Sequence, residues 1–318
     1  MQLPEAQSEG APDLCVVVLS YRNEDTVTSA VDSLLALGDP LEIVVSHSGG
    51  GATEGILERY GSAVKVVASK ERRLPGAARN AGVAASRAPY VAFLAADCRA
   101  LPGWAAGRLA RHRAGAPAVA SALVPLERCR PAVASFLLEH NTRMAHLRMP
   151  AHFRLGVSYR RDVLEKHGPF LETLVNGEDV EMNVRLLLAG VEIEWASDVV
   201  TGHSHPVSLQ GLLSDQYRRG RLRASLSGSA PWQAVSAGQA VLDAPAGIWR
   251  AARPGSPFRF RQLAGLAPFL MAGALATAAG TVRGGLPRDG AAERAVNRHR
   301  TLRLQRGLEV LRRPFGRR

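Results

Sequence analysis

The fold is decided by one stretch, residues 88–104, which read APYVAFLAADCRALPGW. Residues 90–94 form a short apolar run of the kind that a buried parallel strand needs. The run leads to a single carboxylate, Asp97, and residues 102–104 (Pro-Gly-Trp) then break the pattern and begin a helix. In an open α/β sheet, ligands bind just beyond the carboxyl ends of the strands. Asp97 is therefore a candidate metal or phosphate-handling group, although an aspartate in this position often only caps a helix or turn.

Outward from this stretch, the first part of the chain alternates between strand and helix patterns. The predicted strands are the apolar runs at residues 14–19, 41–45, 64–68 and 90–95. The predicted helices lie between them, the first from Val27 to near Gly38, the second before Gly61 and the third at 75–85. Four alternations within about 80 residues predict parallel βαβ units with right-handed crossovers, and hence an α/β fold.

The second part has a mixed pattern. Strands are predicted at residues 117–124, 155–159, 191–195 and 199–202. Helices are predicted at 136–149, at 161–167, and over a segment whose apolar face holds Val180 and Val184 and which Gly190 closes. This half of the chain therefore does not continue the regular alternation.

Composition narrows the class of protein. The 318 residues suffice for one large α/β domain or two smaller ones. The three cysteines are odd in number and widely spaced, which argues against a disulfide framework and fits a reducing cytosol. Residues 1–13 lack a basic leader and an apolar core, so we expect a disordered lead-in and no signal peptide.

Positive charge is concentrated near the carboxyl end. Residues 210–318 contain 19 arginines and 5 acids, a net charge of +14, whereas the other 209 residues carry −2. Such a tail suits anionic lipid or nucleic acid, and a merely solvated charged tail is the plainer interpretation. A recognised nucleic-acid-reading module is missing from the tail, so no nucleic acid is expected as a partner.

The tail also contains an apolar segment. Residues 263–282 are 20 residues without a charge, with arginines on both sides. The length is sufficient to span a membrane, but the Ala, Gly and Thr content and Pro268 favour spanning less. Three arrangements therefore stay open: the segment lies on a membrane surface, spans it, or packs on the soluble body. The arginines of residues 294–318 would suit anionic headgroups.

Several polar residues are candidates for chemistry. Glu178 and Asp179 fall in the first turn of a helix, where the helix dipole stabilises negative charge. They are either only N-terminal helix acids, or Asp179 is a general base. His203 and His205 are two residues apart on an extended segment and therefore face the same way. This spacing is compatible with a shared metal ion and equally with a structural role for one of them. His47 lies in a Ser/Gly-rich loop, where a lone histidine is most often solvated.

Two common nucleotide-binding motifs are absent from the sequence. No Gly-x-Gly-x-x-Gly opens the first helix, and no phosphate-loop Gly-Lys-Ser/Thr is present. A dinucleotide-dependent dehydrogenase and a phosphate-loop enzyme are therefore disfavoured.

Six segments, taken in order, resemble the family-2 glycosyltransferases over roughly residues 14–220. They are VVVLSYRNEDTV (16–27), LEIVVSHSGG (41–50), LPGAARNAGVAASRAPYVAFLAADCRALPGW (74–104), LGVSYRRDVLEKHGPF (155–170), NGEDVEMNVRLLLAG (176–190) and VTGHSHP (200–206). Members of this family have the GT-A fold and transfer a sugar from a nucleotide-sugar donor to an acceptor with inversion. No single motif is decisive, but their order is specific.

The resemblance implies an organisation of the chain. It implies a GT-A-type, Rossmann-like mixed sheet flanked by helices, with a basic helical C-terminal extension. Residues 14–115 would be the nucleotide-sugar-binding half and 116–225 the acceptor and catalytic half. Residues 226–318 would form the basic tail.

The resemblance also implies roles for individual residues. Asp97 matches the second acid of the family's Asp-x-Asp, which holds a divalent cation, Mn2+ or Mg2+, on the donor diphosphate, and His205 is a further candidate ligand. Asp179, in the family's Glu-Asp pair with Glu178, would deprotonate the acceptor hydroxyl. The candidate donor-binding residues are Ser20, Tyr21, Asn23, Glu24, Ser46, Arg79, Asn80, Gln216 and Arg219.

The chain departs from the family pattern in three places. Ala95 stands where the first acid of Asp-x-Asp is expected, and Ser46-His47 stands where an aspartate usually reads the base. Gly220 replaces the tryptophan of the Gln-x-x-Arg-Trp signature, so processive synthesis is not expected, and Gln216 and Arg219 are also compatible with a plain basic helix face. A reduced metal site, a metal-independent enzyme that uses arginines, and a catalytically inactive relative therefore remain as alternatives.

Taken together, these features predict a membrane-associated enzyme of cell-envelope or other glycan assembly. It would lie in the cytoplasm at the inner face of the membrane and use a glycan or lipid-linked acceptor. The alternative is a non-catalytic protein or scaffold that binds nucleotide-sugars, because Ala95 and Ser46 replace two expected acids.

Overall fold

The computed structural model describes residues 12–147, 156–227 and 230–284. The strands in this part of the chain are β1 (Leu14–Tyr21), β2 (Leu41–Ser48), β3 (Val64–Ser69), β4 (Tyr90–Ala95), β5 (Cys98–Ala100), β6 (Ala118–Pro125), β7 (Val157–Arg160) and β8 (Glu194–His203). The α-helices are α1 (Val27–Leu35), α2 (Thr53–Leu57), α3 (Pro75–Ala84), α4 (Trp104–Arg113), α5 (Arg130–His140), α6 (Arg161–His167), α7 (Glu178–Leu188), α8 (Leu209–Ser227), α9 (Ala230–Ala251) and α10 (Phe260–Arg283), and Glu58–Ala63 form a 3-10 helix.

One sheet of eight strands, in the order β3-β2-β1-β4-β7-β6-β8-β5, carries the fold. β1 is parallel to β2 and β4, and β2 is parallel to β3. The register pairs Leu19 with Ser46 on one side and with Ala95 on the other. The carboxyl ends of these strands therefore meet at one edge, as the alternating pattern predicts, and the predicted α/β class is confirmed.

The second half of the sheet is mixed in direction. β7 is antiparallel to both β4 and β6, whereas β6 is parallel to β8. The short strand β5 pairs antiparallel with β8, which places Cys98 opposite His203. This pairing brings the residues after β4 beside the end of β8, although they are about 100 positions apart in the sequence.

Three sequence predictions in this half need correction. The predicted helix at 136–149 is wrong in its bounds, because α5 runs from Arg130 to His140, and residues 148 and 149 lie outside the described residues. The predicted strands at 191–195 and 199–202 are one strand, β8, whose pairing shifts register opposite Ser121 and Ala122, so its alternation is broken in the middle. The strand predicted at 155–159 is β7, Val157–Arg160, and residue 155 lies outside the described residues.

Trp104 anchors the end of the 88–104 stretch in the core. Its side chain is fully buried, and its Nε1 donates a hydrogen bond of 2.8 Å to Thr201 Oγ1 on β8. The buried Arg108 guanidinium lies 4.2 Å from the Trp104 ring centroid and donates to the Val119 carbonyl at 2.9 Å. Helix α4 is therefore fixed against β6 and β8, and with it the turn that presents Asp97.

Helix α10 packs on the body of the protein. A Cβ at Gly220 of α8 would lie 2.1 Å from the Thr277 carbonyl oxygen, and one at Gly280 would lie 2.1 Å from the Tyr217 carbonyl oxygen. Thr281 Oγ1 donates to the Gly220 carbonyl at 3.2 Å across this crossing. α10 is long and apolar enough to cross a membrane, yet 39% of its most apolar 18-residue stretch is buried inside the protein. Packing on the body, one of the three open arrangements, is therefore present.

Replacing Gly280 with alanine is expected to destabilise the protein by about 1–3 kcal/mol, because the new methyl group overlaps the α8 backbone and the two helices must separate. Gly238→Ala in α9 is the matched control. A Cβ there meets no atom within 4 Å, so this change is expected to be neutral or stabilising by up to about 1 kcal/mol. Urea unfolding measures both, and equal stability of the two variants would contradict the close crossing.

Candidate functional site

A cavity of about 150 Å³ lies at the ends of β1 and β4. Residues that line it include Leu19, Arg79, Ala95, Arg143, Asp179 and His203. Two of the residues predicted from the sequence, Arg79 and Asp179, thus share one cavity with Ala95, the position that lacks the expected acid. His203, a second-choice metal ligand in the sequence, also contacts this space.

Arg79 is the buried cation of the site. Its Nε donates to Glu178 Oε1 at 2.9 Å, and its Nη2 lies 3.9 Å from Asp179 Oδ2. The guanidinium lies 4.8 Å from the Phe93 ring centroid and 5.4 Å from that of Phe170. Burial disfavours its charge, but Glu178 and Asp179 outweigh burial and raise the pKa of Arg79. Arg79 therefore stays charged and fixes the start of α7.

The two acids at the start of α7 differ in access to the cavity. The Glu178 side chain is 5% exposed and is held by Arg79, and burial raises its pKa despite that partner. The Asp179 side chain is 27% exposed, and its Oδ1 accepts a hydrogen bond of 2.8 Å from Val180 N. Asp179 is therefore the acid that a bound molecule can reach.

The loops that leave β1 and β2 contact each other at the same edge of the sheet. His47 is fully buried, with Nδ1 3.2 Å from Ser20 Oγ and Nε2 3.0 Å from the Gly50 carbonyl oxygen. The interpretation of His47 as a solvated loop residue is therefore wrong. Ser46 lies beneath this loop, fully buried, and its Oγ has no hydrogen-bond partner among the residues that the structure describes.

Tyr21 ends β1, and Asn23 and Glu24 lie in the loop that follows it. Asn23 Oδ1 accepts a hydrogen bond of 2.9 Å from Tyr21 N. The Tyr21 ring lies against Gly49, and the Glu24 carboxylate lies against Gly51. Between them Arg22 has a φ of 52°, a left-handed conformation that costs energy for a residue with a side chain. Strain of this kind concentrates at ligand-binding loops, which agrees with the role predicted for this segment.

Asn80 and Gln216 have structural partners. Asn80 Nδ2 donates to the Phe170 carbonyl at 3.0 Å, and its Oδ1 accepts from Phe170 N at 3.0 Å, so the amide holds the loop before α7 on α3. Gln216 is 2% exposed, and it donates to Glu139 at 2.7 Å and accepts from Thr277 at 3.0 Å. Both side chains are thus occupied within the protein.

Arg219 is one helical turn after Gln216 and has two acidic partners. Its Nη2 lies 2.8 Å from Glu139 Oε2, and its Nε lies 2.7 Å from Asp215 Oδ2. Burial opposes its charge, but the two acids outweigh burial and raise its pKa. The Arg219 side chain remains 37% exposed, so its charge is available to a bound anion.

Asp97 and His203 are the residues that fit a divalent cation. Asp97 Oδ2 lies 3.9 Å from His203 Nε2, and the Asp97 side chain is 43% exposed. Burial lowers the pKa of His203, although Asp97 opposes this, so the imidazole is a neutral ligand at pH 7. His205, the ligand chosen from the sequence, forms no ion pair with Asp97 among the described residues, and its Nδ1 lies 3.3 Å from Ser135 Oγ on α5. One carboxylate and one imidazole suit Mn2+ better than Mg2+.

Sequence reasoning missed three residues of this region, Glu139, His140 and Arg143. His140 lies at the end of α5, with its ring centroid 4.8 Å from that of His203. Arg143 is 8% exposed, lines the cavity, and has its pKa lowered to about 10 by burial. Their segment carries no motif, and the misplaced bounds of the helix hid that its end reaches the site.

Comparison with known sequences agrees with this geometry. The profile described as "Glycosyl transferase family 2" matches residues 15–167 of this chain. It is 28% identical over 197 residues to the succinoglycan biosynthesis protein ExoU of Rhizobium meliloti, covering 56% of this chain and 58% of that one. It is 36% identical over 89 residues to ExoO of the same organism, covering 27% and 26%. The matched part thus spans less than two thirds of either relative.

A third relative and two solved structures extend the comparison. The chain is 29% identical over 157 residues to a pre-mycofactocin glycosyltransferase of Mycobacterium tuberculosis, covering 46% and 33%. A mannosyltransferase from Pyrobaculum calidifontis, solved with GDP-Man and Mn2+, aligns with a TM-score of 0.52 at 17% identity, covering 84% and 87%. S. aureus TarS 1-349 aligns with a TM-score of 0.50 at 17% identity, covering 85% and 91%. These structures share the GT-A fold with this chain.

The buried Glu139 is expected to make stability depend on pH. Burial raises its pKa to about 7 even though Arg219 opposes this, from a value of 4.5 in an unfolded chain. Between these values the folded chain holds a proton that the unfolded chain has released, so the free energy of unfolding decreases as pH rises. Glu139→Gln is expected to remove this contribution, as measured by urea unfolding at pH 5 and pH 8. Glu165→Gln, at an exposed glutamate, is the control and should keep the wild-type decrease in the free energy of unfolding. The same decrease in Glu139→Gln would contradict this assignment.

Proposed function

We propose that this protein is an inverting glycosyltransferase that transfers a sugar from a nucleotide-diphosphate sugar to an acceptor hydroxyl. The observation that carries the proposal is that Asp179, an accessible acid, opens into the same cavity as Ala95, Arg79 and His203. Asp97 lies beside His203 at the rim. A carboxylate and a cationic rim around one space are what a displacement at an anomeric carbon requires.

Asp179 is proposed as the general base. Its carboxylate would accept the proton of the acceptor hydroxyl while that oxygen attacks the anomeric carbon from the side opposite the diphosphate. The bond from the anomeric carbon to the diphosphate oxygen breaks as the new bond forms. Because one displacement with one base needs no covalent intermediate, the anomeric configuration inverts. Glu178 acts as a positioning residue, since its carboxylate holds Arg79 and is nearly inaccessible.

The donor side is proposed to be cationic. Arg143 and Arg219 would bind the diphosphate oxygens, and Arg79 would supply further positive charge from the wall of the cavity. A divalent cation, which Asp97 and His203 would hold, supplies neutralisation of the leaving diphosphate when bound. Tyr21, Asn23 and Glu24 would contact the nucleoside, and the buried Ser20 and Ser46 would support the loops after β1 and β2 from beneath.

A non-catalytic protein that binds nucleotide-sugars is the second candidate. Ala95 favours it, because the loss of one carboxylate weakens a cation site. The retained Asp179 with its open position argues for catalysis. The two candidates differ in turnover and agree in donor binding.

The test of catalysis is release of nucleoside diphosphate from a panel of nucleotide-sugars with added Mn2+. Asp179→Asn is expected to lower kcat by about 10²–10⁴-fold, because the general base is lost, while donor affinity is retained. Asp97→Asn is expected to raise the Mn2+ concentration needed for half-maximal activity. Asp198→Asn, at an acid 66% exposed on β8, is the matched control and should retain wild-type activity.

The outcomes separate the two candidates. Donor binding without turnover by the wild type over a broad acceptor panel would support the non-catalytic protein. Turnover that Asp179→Asn leaves unchanged would instead contradict the assignment of the base.

We further propose that helices α9 and α10 lie on an anionic membrane surface. Apolar side chains between 45% and 81% exposed follow one side of each helix. They are Val235, Leu242 and Trp249 on α9, and Phe260, Met271, Leu275 and Val282 on α10. The three on α9 are spaced by seven residues, which is two helical turns, so they share one face. Contiguous apolar faces of this kind mark a membrane or protein contact.

The charges around these faces favour the membrane surface. Arg259 and Arg261 are exposed at the start of α10, and Arg283 is exposed at its end, where each would meet anionic headgroups. The opposite side of α10 is buried on α5, α8 and α9, which favours an interfacial position over a span. This would place the protein at the cytoplasmic face of the membrane, where a lipid-linked or other cell-envelope acceptor would be within reach.

Binding to vesicles tests this face. The wild type is expected to sediment with vesicles of phosphatidylglycerol and phosphatidylcholine, and less at high salt. Leu242→Glu and Leu275→Glu are each expected to lower the partition coefficient by about tenfold or more, since each removes an inserted leucine. Leu188→Glu on α7, where the leucine is 51% exposed, is the matched control and should bind as the wild type does. Unchanged binding of both α9 and α10 variants would show that these helices do not contact the lipid.

A further inference from the structure

Three histidines converge behind Asp97, and of these only His203 belongs to the proposed donor-cation site. His140 comes from the end of α5, His203 from the end of β8, and His205 from the segment after it. Each ring offers one nitrogen as a ligand atom, and these three nitrogens all lie within 4.8 Å of one another. The His203 and His205 rings are stacked, with centroids 4.5 Å apart and an angle of 26° between their planes. The two imidazoles are therefore in direct contact.

The hydrogen bonds determine which nitrogen of His203 is free. Its Nδ1 lies 2.8 Å from the Ser204 carbonyl oxygen, which can only accept. Nδ1 of His203 thus carries the proton, and Nε2 of the neutral ring presents a lone pair. A backbone carbonyl behind Nδ1 is the usual partner of a metal-binding histidine.

The same reasoning applies to His205 through Ser135. The Ser135 hydroxyl donates its proton to Glu139 Oε1 at 2.8 Å, so it must accept at its contact of 3.3 Å with His205 Nδ1. Nδ1 of His205 is therefore the donor, and its Nε2 also presents a lone pair.

Nε2 of His205 and Nε2 of His140 lack a hydrogen-bond partner among the described residues. His205 is 6% exposed, and its Nε2 has no hydrogen-bond partner among the described residues. Nε2 of His140 is likewise buried without a hydrogen bond in the described part of the chain, and the nearest carboxylate oxygen, Glu139 Oε2, is 3.6 Å away. Buried polar atoms without partners cost free energy unless a water or a cation completes them.

We infer that His140, His203 and His205 form a binding site for a borderline divalent cation of the Zn2+ class, distinct from the site proposed at Asp97. Three imidazoles with one open position are a known zinc ligand set, and nitrogen ligands favour Zn2+ over Mg2+. Around a tetrahedral ion with bonds of about 2.0–2.1 Å, ligand nitrogens lie about 3.4 Å apart, so the rings need to close by about 1 Å. Because His203 Nε2 also faces Asp97, one ion at a time can use it.

The experiment titrates Zn2+ into the metal-stripped full chain by calorimetry, without nucleotide. The wild type is expected to bind one Zn2+ per chain, and His140→Gln and His205→Gln are each expected to weaken binding at least about tenfold. His167→Gln on α6 removes a histidine elsewhere and should bind as the wild type does. Asp97→Asn should also bind within about threefold of the wild type, because Asp97 is not a ligand of this site.

Two results would overturn the inference. One is the absence of Zn2+ binding by the wild type, as expected if a water alone fills the cluster. The other is loss of binding in Asp97→Asn with retention in His140→Gln and His205→Gln, which would assign the ion to the Asp97 site alone. If a variant fails to fold, the visible spectrum of the Co2+-loaded wild type provides a test that needs no variant. An intense four-coordinate band is expected there, and a weak six-coordinate band contradicts the three-histidine site.

Discussion

The ion pair between Arg79 and Glu178 is the interaction on which the site depends. It joins α3 to α7 across 99 positions of the chain, and the Arg79 guanidinium is enclosed by Phe93 and Phe170. Loss of either partner would leave a buried charge uncompensated, at a cost of about 3–5 kcal/mol. The value of the pair lies in position, since it fixes the first turn of α7. Asp179 is thereby held at the cavity with its carboxylate accessible.

The sheet supplies the second constraint. The parallel strands β1, β2 and β4 end at one edge, which brings the strand-end residues Ser20 and His47 close to Ala95. Direction then changes at β7, and the pairing of β5 with β8 carries His203 to Asp97. Trp104 holds this junction, because its indole is buried and bonded to β8. Donor loops and the second half of the chain therefore meet through backbone pairing.

Electrostatics indicate what the cavity is suited to bind. Arg143 is buried with a lowered pKa, and Arg219 and Arg79 keep their charges only through acids beside them. A bound diphosphate would add negative charge beside the guanidinium groups of Arg79 and Arg143, which line the cavity. The neighbouring histidines are uncharged, in contrast to these arginines. Burial lowers the pKa of His205 to about 3 and holds the pKa of His140 well below its usual range, so these rings are neutral ligands rather than further cations.

Local sequence patterns by themselves determined the four strands of the first half, the Pro75 helix, and the two acids at the start of α7, because apolar periodicity and helix signals act over a few residues. The order of the motifs indicates the resemblance to the family-2 glycosyltransferases. Only the tertiary structure decided that α5 ends at His140, that β8 is one bulged strand, and that His203 rather than His205 faces Asp97. It also decided that α10 packs on α8 through Gly220 and Gly280. These features depend on contacts between residues tens of positions apart, and no local pattern encodes such contacts.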